Sequence, residues 1–336
     1  MTNMKTHALR FAVAAALAAP MIASADATLY GKINESIDYF DIKDGFNGWT
    51  LNGNNAEGSG RASRFGFKGS EDLGGGLKAI YQLEFGIGIT SGTTISQRNQ
   101  WVGMAGDWGQ FRVGRHDTPM KMSTGKLDQF GDTIGDYNGT IGFNDVRAAR
   151  AIAYISPKIS GFSFAGAVVP GAATGPQGDV NDSLASAYSV AGIYSNGPWY
   201  ASAAYESFNS DNYVADSGDY DKWRIGLGIL DLNGFTVAGV YENQSDVNGV
   251  KGDDNGLWQL QAGYSFGNNK IKGMYGQKDR DSNVSKKDLN SWAIGFDHSF
   301  SKRTSVYAIY ADVHEDEATA ANPSWNAFSL GLIHKF

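Results

Sequence analysis

The chain has 336 residues, of which 42% are hydrophobic and only 19% are charged, and it contains no cysteine. The lack of cysteine excludes disulfides, thiol nucleophiles and cysteine-bound zinc, and a formal net charge of −7 disfavours a nucleic-acid partner. The 44 glycines and the 12% of aromatic residues favour many β-strands joined by turns over a helical bundle.

Residues 1–25 have the pattern of an export signal. A basic start is followed by an apolar run over residues 11–19, and Ala23-Ser24-Ala25 fits the small-residue rule for a cleavage site. The run is too short to span a bilayer, and a second run of spanning length does not follow it. The sequence therefore predicts a signal peptide over 1–25 and an exported, acidic mature chain over 26–336. A buried N-terminal helix is the alternative.

Beyond this segment, stretches of about ten residues alternate between apolar and polar side chains. In residues 29–34, Lys32 points away from the apolar positions. Residues 63–68, 77–85 and 327–336 alternate in the same way. Because successive side chains of a strand face opposite sides of the sheet, each stretch forms one apolar and one polar surface.

The connections between these stretches alternate between short turns and long polar loops. The long loops lie near 41–61, 86–97, 116–147, 170–182, 209–220, 245–255, 279–288 and 315–324. Such an alternation is typical of an antiparallel meander that stands in a membrane. The pattern predicts one all-β domain of about sixteen strands, an even number that places both termini on one side.

Aromatic residues near the ends of these stretches favour a barrel in lipid over a soluble sandwich or propeller. Those expected on the apolar face are Tyr30, Phe40, Tyr81, Trp101, Phe111, Trp199, Tyr200, Trp223, Phe235, Trp258, Phe266, Trp292, Phe300, Tyr310 and Trp325. In hydrocarbon every backbone N–H and C=O needs a partner, so the sheet must close and leave no edge. A barrel of about sixteen strands is too wide for side chains to fill, which leaves an aqueous lumen.

Several motifs resemble those of the general porins of Gram-negative outer membranes. They are Leu29-Tyr30-Gly31-Lys32, the block SRFGFKGSEDLGGGL over 63–77, Phe111-Arg112-Val113-Gly114-Arg115, Tyr154-Ile155-Ser156-Pro157 and the closing GLIHKF over 331–336. The resemblance covers the whole mature chain. It implies a homotrimer of sixteen-stranded transmembrane antiparallel β-barrels with short periplasmic turns, long extracellular loops and a third loop folded inward.

The resemblance also implies a function and partners. It points to a water-filled channel in the outer membrane, surrounded by lipid and lipopolysaccharide, through which ions and small hydrophilic solutes diffuse passively. The terminal phenylalanine of the family is an assembly signal for the outer-membrane insertion machinery, which makes Phe336 the candidate here. We expect no enzyme activity, cofactor or metal. The alternatives are a structural or adhesin barrel with a plugged lumen and an outer-membrane barrel hydrolase, against which the few histidines count.

The acidic side of a pore constriction is predicted in the longest loop, near 116–147, which takes the place of the inward-folded loop of that family. Its segment Asp128-Gln129-Phe130-Gly131-Asp132 is similar to the family's Pro-Glu-Phe-Gly-Gly-Asp. Gln129 stands where the family has glutamate, so one formal charge is lost. We predict Asp132 as the constriction acid, with Asp128 and Asp136 as further candidates. Acids that only face solvent are the alternative.

The opposing wall is predicted to be basic. The candidates are Lys32, Arg64, Arg98, Arg112 and Arg147. Alternation places Lys32, Arg64 and Arg112 on polar strand faces, and the resemblance places all but Arg112 in the family's basic ladder. A basic residue that faces hydrocarbon costs roughly 2–4 kcal/mol at mid-membrane, which favours the inward placement. Alternatively, these residues line a wide lumen without narrowing it.

Other residues are expected outside the barrel. Alternation places Trp101 and Arg150 on the outer face, and it places Arg115 there beside Val113. In the family, the position of Arg115 meets an acid from the second loop of a neighbouring subunit. Loop 86–97 of this chain has no carboxylate. Trimer contacts are therefore expected from the apolar faces of the early strands, without that ion pair.

Overall fold

The computed structural model describes residues 26–52, 62–90, 95–171, 183–208, 219–247, 250–282, 288–316 and 323–336. The expected signal peptide, 1–25, lies outside these ranges. Within them the chain forms seventeen strands: β1 (Asp26–Ile42), β2 (Asn47–Leu51), β3 (Arg64–Gly74), β4 (Leu77–Ile87), β5 (Ile95–Gly106), β6 (Gly109–Asp117), β7 (Arg147–Ile155), β8 (Phe162–Val169), β9 (Ala187–Asn196), β10 (Trp199–Phe208), β11 (Tyr220–Leu232), β12 (Phe235–Ser245), β13 (Asp253–Phe266), β14 (Asn269–Ser282), β15 (Leu289–Ser299), β16 (Thr304–Glu315) and β17 (Trp325–Lys335). Two short helices, α1 (Pro119–Thr124) and α2 (Tyr137–Thr140), lie between β6 and β7.

The strands form one closed antiparallel barrel. On one flank, β1 pairs with β17 along residues 32–42. On its other flank, β1 pairs with β3 along 26–32 and with β2 along 37–41, so β2 and β3 share one position end to end. The barrel therefore has sixteen strand positions, as predicted. Its closure leaves no unpaired edge of the kind that hydrocarbon would penalise.

Short turns and long loops alternate around the barrel, which confirms the predicted meander. Among the described connections, two residues join β3 to β4, β5 to β6, β9 to β10, β11 to β12 and β13 to β14. These turns lie at the same end as Asp26 and Phe336. The long connections lie at the other end, and the one over 118–146 is the third in chain order.

Side chains alternate between the lumen and the outer surface. Along β1, Asn34, Ser36 and Asp38 are buried on the lumen side, whereas Ile33 and Ile37 are exposed on the outside. The same alternation leaves large apolar side chains exposed along the other strands. In water this apolar surface would be unfavourable, and in a bilayer it faces hydrocarbon.

Five aromatic residues that were expected on the apolar face lie on the lumen side instead. They are Tyr30, Phe40, Trp101, Tyr200 and Trp325. The Tyr30 hydroxyl donates a hydrogen bond to Glu84 at 3.0 Å, and the Tyr200 hydroxyl donates one to the backbone oxygen of Ser123 at 2.8 Å. For Tyr30, Phe40, Tyr200 and Trp325 the expectation was wrong because the rings were assigned by their closeness to strand ends rather than by parity.

A β-bulge accounts for Trp101. The register between β4 and β5 shifts between Leu83 and Phe85, opposite residues 98–99. The extra residue brings Arg98 and Trp101 to the same face of the sheet. On the lumen side the Trp101 ring lies 4.1 Å from the guanidinium carbon of Arg112. The sequence contains no signal for this bulge, so parity counted through it gave the wrong face for Trp101.

The connection over 118–146 folds into the barrel, and we name it the inner loop. The Thr118 hydroxyl caps α1 by accepting from the Lys121 backbone nitrogen, and the Asp136 carboxylate caps α2 in the same way. Leu127, Phe130 and Ile141 are buried against the inner wall, so the apolar core lies between the inner loop and the wall. Within the described chain, neither helix is long and apolar enough to cross a membrane.

Candidate functional site

The inner loop packs on a strip of glycines in the barrel wall. We call these residues the glycine strip: Gly226, Gly228, Gly263, Gly276 and Gly295, on β11, β13, β14 and β15. A Cβ at Gly226 would lie 2.5 Å from Leu127 Cδ1, and one at Gly276 would lie 2.7 Å from Ile141 Cδ1. Both distances are far shorter than a normal carbon contact. Glycine at these positions therefore allows the inner loop to lie directly on the backbone of the wall.

A buried ion network anchors both ends of the inner loop beside this strip. Arg224 on β11 contacts Asp145 at 2.7 Å through Nη1 and Glu242 on β12 at 2.6 Å through Nε. The same Nη1 donates a hydrogen bond to the Thr124 hydroxyl at 2.7 Å. Burial alone would raise the pKa of Asp145, but Arg224, the Tyr137 hydroxyl and Lys121 together outweigh burial and lower it. Because Thr124 and Asp145 lie far apart in the loop, one guanidinium fixes both.

The tip of the inner loop meets the opposite wall through one carboxylate. Asp132 forms ion pairs with Lys32 on β1 and with Arg64 on β3, the latter at 3.2 Å between Oδ2 and Nη1. Asn34 donates from Nδ2 to the backbone oxygen of Asp132 at 2.8 Å. Burial would raise the pKa of Asp132, but the two cations outweigh it and lower the pKa. Asp132 is therefore ionised at neutral pH.

A second carboxylate, Glu84 on β4, lies among the basic residues of the wall. Its Oε1 accepts from Arg98 Nε at 2.6 Å, and its Oε2 lies 3.7 Å from Arg64 Nε. The Tyr30 hydroxyl donates to the same Oε2 at 3.0 Å. Arg64 therefore lies between Asp132 of the inner loop and Glu84 of the wall, and the charges alternate along the lumen surface.

A third carboxylate, Asp117, lies where the inner loop leaves the wall. Its Oδ1 is 2.9 Å from Arg147 Nε and 3.4 Å from Lys121 Nζ. Asn99 donates from Nδ2 to Asp117 Oδ2 at 2.8 Å, and its Oδ1 accepts from Arg147 Nε at 3.2 Å. These contacts place Arg147 and Lys121 at the base of the inner loop, on the same side of the lumen as Arg98.

Arg112 lies on the lumen face in a different setting. Its guanidinium stacks on Trp101, and its Nε donates to Gln110 Oε1 at 3.0 Å. Its Nη1 also lies 2.6 Å from His116 Nε2. Within the described residues no carboxylate pairs with Arg112. Its positive charge is therefore stabilised by a cation–π contact with Trp101 and by hydrogen bonds to neutral groups.

Asp128 and Asp136 shape the inner loop and do not contact the basic wall. Asp128 Oδ1 accepts from Gln261 Nε2 of β13 at 3.1 Å. Asp136 accepts from the backbone nitrogens of Asp132 at 2.9 Å and Asn138 at 2.8 Å. Burial, together with the nearby Asp136, raises the pKa of Asp128 to about 8, and burial also raises the pKa of Asp136.

The structure thus brings together most of the residues that sequence analysis selected. Lys32, Arg64 and Asp132 are in direct contact, and Arg98 joins them through Glu84. Sequence analysis missed Glu84, Asp117 and Lys121. Alternation over 77–85 places Glu84 on the polar face, so parity could have found it. Asp117 fell inside the predicted loop, where strand parity was not applied.

Phe336 lies at the seam between the first and last strands. Its backbone oxygen accepts from Gly31 nitrogen at 3.0 Å, and its nitrogen donates to Gly31 oxygen at 3.1 Å. The Phe336 ring covers Gly31 so closely that a Cβ there would overlap it. The terminal residue therefore takes part in closing the barrel at the end where the short turns lie.

Arg115 and Arg150 lie near a second bulge, where the register of β6 with β7 shifts between Gly114 and His116. Arg115 shares the parity of Val113, whose side chain is exposed on the outer face, and its Nε is buried without a hydrogen-bond partner in the described chain. Arg150 is exposed and adopts a φ of 59°. Neither residue belongs to the group of charges around Asp132.

The letters G-x-S-x-G, which occur in hydrolases, appear in this chain at 263–267 as Gly-Tyr-Ser-Phe-Gly. The segment spans the end of β13 and its turn into β14. The nucleophile elbow of hydrolases is a turn from a strand into a helix. A strand therefore follows here where the elbow requires a helix, and the match is one of letters only.

Nine of the charged groups described above, on the basic side of the lumen and at the base of the inner loop, have a positive sum. The cations are Lys32, Arg64, Arg98, Arg112, Lys121 and Arg147, and the anions are Glu84, Asp117 and Asp132. The formal sum of these nine groups is 6 − 3 = +3. In a narrow passage of low dielectric constant, a positive sum of charges attracts anions and orients dipolar solutes.

Comparison with known proteins places the chain in a family. A family model described as Gram-negative porin matches residues 12–318. This chain belongs to the Gram-negative porins. An outer membrane porin protein of Bordetella pertussis is 25% identical to this porin over 400 residues, which cover 99% of the chain and 100% of the relative.

Two solved structures share the porin fold. The anion-selective porin from Comamonas acidovorans has a TM-score of 0.74 and 23% identity, and the match covers 93% of this chain and 100% of that one. OmpT of Vibrio cholerae, in a trimer form, has a TM-score of 0.68 and 12% identity, with 93% and 99% covered. The protein is an outer-membrane porin that forms a passive diffusion channel, and the family indicates a channel rather than an enzyme.

Proposed function

We propose that the inner loop narrows the lumen to a charged constriction and that this constriction favours small hydrophilic anions. The observation that carries the proposal is the contact of Asp132 with Lys32 and Arg64, which holds the loop tip beside the basic wall. Arg98, Arg112 and Arg147 complete the basic side, and the nine groups sum to +3. The Comamonas porin is described as anion-selective, which agrees with this sign.

Single-channel recording in a planar lipid bilayer tests the channel and its selectivity together. We expect stepwise conductance increments and, in a KCl gradient, a reversal potential with the sign of chloride permeation. Because the inner loop touches both sides of the lumen, a plugged structural barrel is the second candidate. Purified, folded protein that gives no steps at any concentration would favour the plugged barrel. Steps with potassium preference would contradict the proposed sign.

Two variants test the residues of the constriction. Asp132→Asn removes the loop charge and should raise the chloride-to-potassium permeability ratio, whereas Arg64→Gln should lower it. In water a unit charge at about 8 Å is worth about 0.5 kcal/mol, which corresponds to roughly a twofold change in the ratio. Asp107→Asn, in the exposed turn between β5 and β6, removes the same charge at the short-turn end of the barrel and serves as control. If both constriction variants match this control, the assignment is wrong.

We also propose the assembly of the mature protein as a homotrimer after cleavage of residues 1–25. The trimer form of OmpT and the exposed apolar outer face of the early strands support this proposal. Phe336 is the proposed recognition element for the outer-membrane insertion machinery, and its place at the barrel seam agrees with that role. Lipid and lipopolysaccharide are the proposed surroundings. Mass spectrometry of the mature N-terminus and the mass of the detergent-extracted complex test the cleavage and the trimer.

A further inference from the structure

A polar cavity of about 620 Å³ lies on the loop side of the inner loop, and it shares Lys121 with the nine charges summed above. One side of the cavity is the inner loop over residues 138–145, and the other is the upper wall formed by β14 to β17. Three cationic side chains line it: Lys121, Lys278 and Arg280. A solute that enters the barrel from the loop end meets this cavity before the constriction.

Lys278 differs from the other charged residues of this cavity. It lies on β14 between Leu257 of β13 and Leu289 of β15, both of which are buried on the lumen side. Its Nζ is 3.5 Å from the place that a Cβ would take at Gly142 of the inner loop. In the described part of the chain no ion pair or hydrogen bond to Lys278 Nζ is formed.

The remaining charges of the cavity are paired. Arg280 donates from both Nη1 and Nη2 to Glu315, at 2.8 and 3.1 Å. Lys121 is paired with Asp117 at 3.4 Å, and Asp145 is held by Arg224 at 2.7 Å. Glu315 is thus paired with Arg280, while Asp145 and Glu242 share Arg224. Within the described residues, the Lys278 ammonium therefore has no ion pair, and it lies half-buried in the polar cavity.

We propose that Lys278 is the binding group of an anion site in this cavity, which holds small solutes bearing a phosphate or carboxylate group before they reach the constriction. An ammonium with a stem packed between two leucines is poorly hydrated, so a charge-assisted hydrogen bond from an oxyanion stabilises it. Because the site lies inside the lumen, we take its ligand to be a dissolved solute rather than a lipid headgroup. The proposal rests on the proposed function, because an anion must first enter the lumen.

Titration of the chloride current with inorganic phosphate at neutral pH tests the site. Phosphate that occupies the cavity should reduce the single-channel current of the unmodified porin. Loss of one charge-assisted hydrogen bond weakens binding roughly tenfold, so Lys278→Gln should need about ten times more phosphate for the same block. Lys278→Arg keeps the charge and should restore most of the block. Lys158→Gln, in the exposed turn between β7 and β8, is the matched control.

Calorimetry of the same variants with inorganic phosphate, in detergent, keeps this test separate from channel activity. Binding heat that disappears in Lys278→Gln and persists in Lys158→Gln supports the site even if conductance is absent, in which case only the proposed function fails. Conductance steps with equal phosphate block and equal binding heat in all variants would overturn the site and leave the channel intact.

Discussion

The two sides of the lumen hold the inner loop in different ways. On the side of β11 to β15, the glycine strip and Arg224 fix it by close packing and fully buried ion pairs. On the side of β1 and β3, the described loop tip meets the wall through Asp132, and the side chains of Asp132 and Arg64 stay partly exposed to the lumen. The first side is a protein core, and the second is a water-facing surface of charges.

This difference separates the stability of the inner loop from its selectivity. Dry, close packing is strong and insensitive to salt, whereas exposed ion pairs contribute little to stability and are screened by salt. We infer that the glycine-strip side determines where the loop lies. The basic side then determines which ions pass. Substitutions on the two sides should therefore have effects of different kinds.

The largest effect is expected at Arg224. Arg224→Gln leaves the buried carboxylates of Asp145 and Glu242 without their cation, which costs about 3–5 kcal/mol of the free energy of unfolding. Urea unfolding in detergent or lipid, followed by tryptophan fluorescence, measures this loss. Because the base of the inner loop is released, single-channel recordings should also show larger current noise.

Arg64→Gln is the matched comparison, since Arg64 and its partner Asp132 keep part of their side chains exposed, and Asp132 and Glu84 each retain a second cation. Its loss should reduce the free energy of unfolding by about 1 kcal/mol or less. Equal losses in the two variants would break the distinction between a buried and an exposed side of the lumen.

The fold followed closely from the sequence because alternation and turn spacing are local signals. Residues 29–34 and 63–68 show the period of two directly, and the closed barrel follows from backbone pairing in hydrocarbon. The face of Trp101 could not be obtained in this way. A bulge inserts one residue and reverses the parity beyond it, and its position depends on the neighbouring strand.

The candidate site was predicted only on its basic side and at the loop tip. Lys32 and Arg64 could be placed by parity, and Asp132 came from the resemblance to the porins. At the anchor, Arg224 contacts Asp145, which lies 79 positions away in sequence, and Thr124, which lies 100 positions away. No local pattern reports such a contact, and the glycine strip likewise acquires its meaning only once the inner loop lies on it.

A smaller effect than that of Arg224 is expected from filling the glycine strip. Gly226→Val places methyl groups where Leu127 and Thr124 of the inner loop now lie, and such overpacking costs about 1–3 kcal/mol. The displaced loop should change the single-channel conductance, which bilayer recording measures. Gly192→Val on β9 is the control, because nothing lies within 4 Å of a Cβ there. Unchanged conductance in Gly226→Val would show that the strip does not position the loop.

The smallest effect concerns pH, and it tests whether the packed side also influences ion flow. Burial and the nearby Asp136 raise the pKa of Asp128 to about 8, so Asp128 is mostly neutral at pH 6 and ionised at pH 9.5. A raised carboxyl pKa means that ionisation opposes the folded state. The contribution of neutral Asp128 to the free energy of unfolding is therefore fully present below the unfolded-state pKa of aspartate, near 4. It falls as the pH rises and is lost above about 8.

Ionisation of Asp128 also adds one negative charge beside the constriction, so the chloride-to-potassium permeability ratio should fall between pH 6 and pH 9.5. Reversal potentials of the unmodified porin and of Asp128→Asn over this range measure the effect. The variant cannot ionise at this position and should show a smaller fall than the unmodified protein, since other groups titrate equally in both. Identical pH profiles would mean that the charge on the packed side is not felt in the lumen, and selectivity would then belong to the basic side alone.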